Sequence, residues 1–254
     1  SVQIVLDGRR SNASQIVDGY LGAIVSNFVA DQNALARRPA TLPRVVTRNW
    51  FNPNLTFRWF TVPGLIAVVA LLVGLIVTAL SVARERELGT FDQLMVAPLR
   101  VHEILLGKTI PPLLIGYFHV TLYVLATRFG FGVPLRGSLF LLYVAAGFFL
   151  AAVIGVGLFI SSISKTQQQA ILGAFLFLAP ATLLSGFATP IANMPKWLQP
   201  LTLVNPLRYF LVVTRGIFLK GISAADVARQ TVPLALIAAV TLTAAAWLFR
   251  RRME

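Results

Sequence analysis

Arg84, Glu85, Arg86 and Glu87 stand between two uncharged stretches, each long enough to cross a bilayer, and Leu88, Phe91, Leu94 and Met95 follow at i, i+3, i+6 and i+7. Charges of both signs beside an apolar helical stripe do the chemistry of recognition: such a helix docks on a soluble partner or lies along a lipid surface. Bond-breaking chemistry has little to work with. All nine Asp and Glu residues (Asp7, Asp18, Asp31, Glu85, Glu87, Asp92, Glu103, Asp226, Glu254) fall outside the uncharged runs, and no Gly-x-x-x-x-Gly-Lys-Ser/Thr phosphate loop exists. The chain therefore cannot hydrolyse ATP by that chemistry. Spans without a carboxylate also argue against transport coupled to protons or sodium. His102 and His119 are the two histidines and make no metal site.

The elements that would position this block are membrane helices. Apolar residues make up 57% of the chain and charged ones 12%, and the charges cluster, so a soluble globular fold is excluded. A span needs about 20 apolar residues. Trp59 to Ala83, Thr109 to Thr127, Gly137 to Ser164, Thr166 to Pro195 and Gln230 to Phe249 carry no charge, which predicts five spans near residues 60–83, 109–128, 138–163, 168–190 and 230–249. The net charge of +13 comes from Lys and Arg at span ends and loops, where phospholipid headgroups sit, and no basic patch interleaves with exposed aromatics, so nucleic acid is not expected as a partner. There is no cysteine, which rules out a disulfide framework, a thiolate metal site and a cysteine nucleophile.

Residues 1–58 read as a partial outer α/β domain, and residues 59–254 as the membrane domain. Val2 to Leu6 has strand character and Asp7-Gly8 ends it; Ser11 or Asn12 then caps a helix to about Phe28, with Ile16, Tyr20, Ile24 and Phe28 at four-residue steps. Val45-Val46 is a second short strand candidate, and Asn49 to Asn54 is a turn-rich approach to the membrane. A strand with no partner before it implies a missing upstream segment that includes a membrane helix, which would make six spans in all.

Orientation follows from charge with little margin. Arg84, Arg86, Arg100, Lys108, Lys165 and Arg250-Arg251-Arg252 fall on one side; Arg128, Arg136, Lys196, Arg208, Arg215, Lys220 and Arg229 fall on the other. Taking the first side as cytoplasmic puts the N-terminal domain outside and the C-terminus in the cytoplasm. Between about 194 and 220, on the outer side, Met194 to Leu198 and Pro206 to Leu219 read as two interfacial or re-entrant helices. Trp197 and Tyr209 are its interface aromatics, and Arg208 and Arg215 share one stripe and are expected to reach headgroups or water.

Several motifs together carry a resemblance. Arg84-Glu85-Arg86-Glu87-Leu88-Gly89-Thr90, then Gln93-Leu94, Pro98 and Leu106-Gly107-Lys108, resemble the loop after the second span of type-2 ABC exporter permeases. Leu184-Ser185-Gly186-Phe187, Pro190, Asn193-Met194-Pro195, Trp197-Leu198, Pro206-Leu207-Arg208-Tyr209 and Arg215-Gly216-Ile217-Phe218-Leu219-Lys220-Gly221 resemble that family's outer segment before its last span. Asn52-Pro53-Asn54 and Val62-Pro63-Gly64 point to the drug-export branch with a large outer domain. The chain departs from the family at Leu88, where Arg is usual, and at Phe91-Asp92, where Met-Glu is usual.

The resemblance implies an all-α polytopic bundle of six spans per subunit and two subunits per transporter, identical or not, in a bacterial cytoplasmic membrane. It also implies a separate cytoplasmic ATPase that holds ATP and magnesium, this chain carrying no cofactor of its own. Residues 84–98 would then be the coupling helix, with Arg84, Glu85, Arg86, Glu87, Thr90, Phe91, Gln93, Leu94, Met95 and Pro98 meeting the ATPase. The apolar spans suit a hydrophobic or amphipathic cargo. The alternative is a membrane scaffold or sensor subunit that recruits a partner through the same helix without transporting anything.

Within the spans, His119 with Tyr117 and Tyr123 marks a possible cargo path, or else a neutral histidine bonded to another helix. Gly147, Ala151 and Gly155 permit close helix packing within or between subunits, and Pro180 reads as a mid-span kink.

Overall fold

A computed structural model describes residues 11–35, 56–91, 93 and 100–253. Among the described residues seven α-helices have assigned bounds: α1 (Ser11–Leu35), α2 (Phe57–Glu87), α3 (Val101–Leu125), α4 (Leu139–Ile163), α5 (Gln167–Leu183), α6 (Pro206–Arg215) and α7 (Ala224–Met253). Single π-helical turns, Ala126–Gly130 and Gly216–Lys220, extend α3 and α6, and short 3-10 turns lie at Ile191–Asn193 and Gln199–Val204. No strand occurs among the described residues, and the described part of the N-terminal region is the single helix α1, so the expected α/β domain gains no support. Its strand candidates, Val2 to Leu6 and Val45-Val46, lie outside the described residues.

Among the described residues four helices, not five, are long and apolar enough to cross a membrane: α2, α3 with its π turn, α4 and α7. Uncharged backbone in lipid must satisfy its polar groups internally, and the helix does this. The fifth expected span, 168–190, is cut short. α5 has 17 residues, roughly 25 Å against a hydrocarbon core of about 30 Å. The chain turns where Ser185 Oγ donates to the Thr182 carbonyl at 2.7 Å and Gly186 takes φ +86°. Pro180 thus lies in the last turn of α5 and not mid-span.

α4 is the axis of the bundle. Leu142, Ala146, Phe149, Leu150, Val153 and Ile154 are fully buried, and it packs against α2, α3, α6 and α7. Because lipid is as apolar as leucine, close approach and interhelical hydrogen bonds decide packing here more than burial does. A Cβ on Gly155 would meet Leu242 N at 2.8 Å on α7, and one on Gly157 would strike the Thr78 hydroxyl and Leu75 O on α2. Gly147 makes room for the Tyr117 hydroxyl of α3. The small residues of α4 therefore serve contacts inside this chain. Ser161 Oγ accepts from Val82 N at 2.9 Å and Ala83 N at 3.0 Å, and Thr241 Oγ1 donates to Ala152 O at 3.2 Å.

α6 is largely buried in the bundle, with Leu207, Phe210 and Val213 fully enclosed. Asn205 caps it: Oδ1 accepts from Leu207 N at 3.0 Å while Nδ2 donates to Ala181 O at 2.6 Å, and Pro206 at the first helical position is pre-set for the turn. Phe210 stacks on Phe149 with centroids 4.4 Å apart. Met194 to Leu198, expected as a helix, is a turn before the 3-10 segment. The π turn after α6 is tied to the α3–α4 loop by Gly137 N to Ile217 O at 2.8 Å and Arg136 N to Phe218 O at 3.3 Å.

Candidate coupling site

The charged block is not one helix. Arg84 to Glu87 form the last turn of α2, and the chain then reverses. Gly89 N donates to Arg86 O at 3.2 Å and Thr90 N to Glu85 O at 2.9 Å, with Gly89 at φ +72°: the paired bonds of a left-handed helix stop. A residue with a Cβ resists that φ, so Gly89 sets the direction in which the chain leaves α2. Leu88, the departure from the family pattern, is the cap residue itself and stays exposed. α3 starts at Val101, well before the expected residue 109, with Glu103 Oε2 accepting from Arg100 N at 2.8 Å. His102, Glu103 and Lys108 are thus helical residues, not loop residues.

Glu85, Arg86 and Glu87 each hold a different neighbour. Glu85 Oε2 lies 2.6 Å from Lys108 Nζ of α3, with the Lys108 side chain only 10% exposed. Arg86 Nη1 donates to Ser162 O at 2.7 Å and Ser164 O at 3.1 Å, at the end of α4. Glu87 Oε2 accepts from Gln167 N at 2.7 Å, at the start of α5. That end of α5 is further fixed by Thr166, whose hydroxyl accepts from Gln169 N at 3.3 Å.

Phe91, expected to dock on a partner, is buried in the chain's own fold. Its ring meets Phe249 of α7 edge-on at 5.9 Å, and the Arg86 guanidinium lies 4.8 Å from its centroid. Arg84, Glu87, Leu88, Gly89, Thr90 and Gln93 are exposed, and of these only Glu87 has its side chain bonded to another helix among the described residues, while Leu94, Met95 and Pro98 lie outside the described residues. The sequence reading missed Ser162, Ser164, Gln167 and Phe249 as partners of the block. Three bond through backbone atoms, which no residue type announces; only Ser161-Ser162 and Ser164 in an otherwise apolar run hinted at a polar end.

The intramembrane set resolves into two groups. Tyr117 OH donates to Tyr143 O at 3.2 Å, Tyr143 OH donates to Thr121 Oγ1 at 2.8 Å, and the two tyrosine rings stack at 6.2 Å, so these residues pin α3 to α4. His119 pairs with its own helix: Nδ1 lies 2.9 Å from Ile115 O, and the ring meets Phe118 edge-on. Tyr123 is half-buried on the same helix.

Arg208 and Arg215, expected to reach headgroups or water, both hold contacts within the chain. Arg208 donates to the Thr202 hydroxyl, and Tyr209 OH to Leu203 O at 2.8 Å, so both hold the preceding 3-10 turn. Arg215 is enclosed. Its Nη1 donates to Gly186 O at 3.2 Å, its guanidinium carbon lies 4.0 Å over the Phe60 ring and 5.6 Å from that of Phe187, and its Nε is buried without a hydrogen-bond partner among the described residues. Gly64 leaves the space for Phe187 and this guanidinium. Trp197 alone of the set is openly exposed, as an interface aromatic would be.

Residues 10–219 match a family model described as ABC-2 type transporter. The chain is 45% identical over 253 residues to "Probable multidrug ABC transporter permease YbhR" of Escherichia coli strain K12, covering 99% of this chain and 68% of that relative. It is 36% identical over 227 residues to "Probable multidrug ABC transporter permease YbhS" of the same strain, covering 87% of this chain and 59% of the relative. Over 257 residues it is 29% identical to "Inner membrane transport permease YhhJ" of that strain, with 98% and 67% covered.

Proposed function

The chain belongs to the ABC-2 type transporter family, and from that premise we propose that it is the permease subunit of an exporter that carries a hydrophobic or amphipathic cargo out of the cytoplasm, energised by a separate ATPase. It is a multi-pass membrane protein with four long apolar helices. In this reading α5, at 17 residues, crosses as a fifth, short span. Two permease subunits, identical or different, face one another in the bacterial cytoplasmic membrane. The α2–α3 end lies in the cytoplasm with the C-terminus, and α1 belongs to an outer domain. The ATPase holds ATP and magnesium.

The observation that carries the reading is the segment joining α2 to α3. It leaves α2 through a fixed left-handed stop and presents Arg84, Leu88, Thr90 and Gln93 to water, a mixed surface suited to a soluble partner. The relatives' printed names speak for multidrug cargo, and His119 and Tyr123 on α3 are the side chains offered to it. The test is transport. Inverted vesicles holding this chain and its ATPase should accumulate a lipophilic fluorescent dye with ATP and not with a non-hydrolysable analogue. Accumulation that ignores ATP, or co-purification with the ATPase without any transport, would instead favour a recruiting scaffold.

A further inference from the structure

We infer that the charged block divides its labour: Glu85, Arg86 and Glu87, with Phe91, form a relay inside this chain that passes displacement of the α2–α3 segment to α3, α4, α5 and α7, while Arg84, Leu88, Thr90 and Gln93 meet the partner. The inference rests on the reading that this segment docks an ATPase.

Four contacts, each to a different helix, start within seven residues of chain. Glu85 binds Lys108 of α3 at 2.6 Å. Arg86 binds the carbonyls of Ser162 and Ser164, which end α4, and Glu87 binds the backbone N–H of Gln167, which begins α5. Phe91 packs on Phe249, in the last turns of α7. Three of the four involve a charged group and are stronger than neutral bonds of the same length. Two end on backbone atoms, so they pull on the main chain and not on a side chain that could swing aside. The Glu85–Lys108 pair is only partly screened by water, since Lys108 is 10% and Glu85 28% exposed.

A push on this segment therefore has few ways to dissipate locally. The Gly89 stop makes the exit from α2 stiff, with Thr90 bonded back to Glu85 O through both its N–H, at 2.9 Å, and its hydroxyl, at 3.3 Å. Thr90, a residue of the partner-facing surface, is thus joined directly to the residue that grips α3. Glu85, Arg86 and Glu87 are positioning residues in this scheme. Their side chains are committed within the chain, although Glu87 retains solvent exposure.

The relay and a docking surface make different predictions. The experiment uses the chain co-expressed with its ATPase in membranes, scored for co-purification and for dye-stimulated ATP turnover. The variants are Glu85→Lys, Lys108→Glu, the double exchange of both, and Glu87→Ala. The relay predicts that each single variant co-purifies like wild type while dye stimulation falls by about fivefold or more, the lower bound of a typical coupling between sites. The double exchange should restore stimulation, which an unfolded protein could not do, because it returns opposite charges to the same positions. Arg84→Glu, on the exposed face, should instead weaken co-purification. Loss of co-purification by Glu85→Lys and Glu87→Ala in step with stimulation would overturn the relay, as would stimulation that stays at the wild-type level, or a double exchange no better than the singles. Failure of the wild-type pair to co-purify at all would overturn the docking reading itself, and the relay with it.

Discussion

Phe91 and Phe249 meet edge to face, with centroids 5.9 Å apart and planes at 84°, and so join the start of the α2–α3 connection to the last turns of α7. Phe249 is 1% and Phe91 7% exposed, so this contact is core, at the polar end of the bundle where water would otherwise reach the rings. There, unlike in the lipid-facing part, burial is still measured against water and keeps its full hydrophobic value.

Phe91→Ala should therefore act on stability before it acts on any partner. Removing a buried aromatic costs about 3 kcal/mol or more, through lost transfer energy and the cavity left behind. The Arg86 guanidinium also loses its ring. Thermal unfolding in detergent should show a clear fall in Tm for Phe91→Ala and a smaller one for Phe91→Leu. An unchanged Tm with weakened ATPase binding would return Phe91 to the docking surface.

Much of this fold was legible as uncharged length. α2, α3, α4 and α7 each contain one of the runs that charge counting picks out. α5 escaped that method because Ser185 and Gly186 end a helix without bearing charge. Lys108 misled in the opposite direction: a charge was read as a boundary, yet Glu85, distant in sequence, lets α3 run straight through it. The block's reversal was written in Glu87-Leu88-Gly89-Thr90, where a glycine after a helical run signals a left-handed stop. Its inward commitments were not legible, because carbonyls of Ser162 and Ser164 exist in every sequence.

The glycines of the bundle give a paired prediction. Gly157→Ala would drive a Cβ into the Thr78 hydroxyl and to within 3.1 Å of Leu75 O, and backbone cannot step aside. Overpacking of this kind costs about 1–3 kcal/mol. Gly107→Ala places its Cβ where no atom lies within 4 Å, in the interior of α3, so it should gain up to about 1 kcal/mol from helix propensity. Opposite shifts in Tm are expected. Equal shifts would mean that α4 does not lie against α2 as described.

Tyr143 and His119 separate packing from cargo handling. Tyr143→Phe keeps the ring stack on Tyr117 and removes only the bond to Thr121, a loss of about 0.6 kcal/mol for a typical interhelical hydrogen bond in a membrane. Its effect should appear in stability and not in dye selectivity. Among the described residues His119 contacts its own helix alone, at Ile115 O and the Phe118 ring, so His119→Ala should leave Tm unchanged, and any effect should fall on which dyes are carried. A loss of Tm in His119→Ala would show that the ring supports the bundle and would remove it from the proposed cargo path.

Arg215 decides how the C-terminal end of α6 is held. Its guanidinium lies between the Phe60 ring and the turn at Gly186, joining α2, α6 and the exit of α5. A desolvated cation over an aromatic face contributes about 2 kcal/mol, and the bonds to carbonyls add to it, but taking the charge out of water opposes both. The balance is measurable. Arg215→Ala loses charge, bonds and volume together and should be the least stable variant. Arg215→Lys keeps charge but cannot span the carbonyl and both rings with one planar group, so it should recover only part of the loss. Arg215→Met refills most of the space without the charge. Tm values falling in the order wild type, then Lys or Met, then Ala, are expected, with Lys196→Ala, at an exposed position, unchanged. If Arg215→Met matches or exceeds wild type, the guanidinium contributes volume alone, and the cage between Phe60 and Gly186 is held by packing and not by charge.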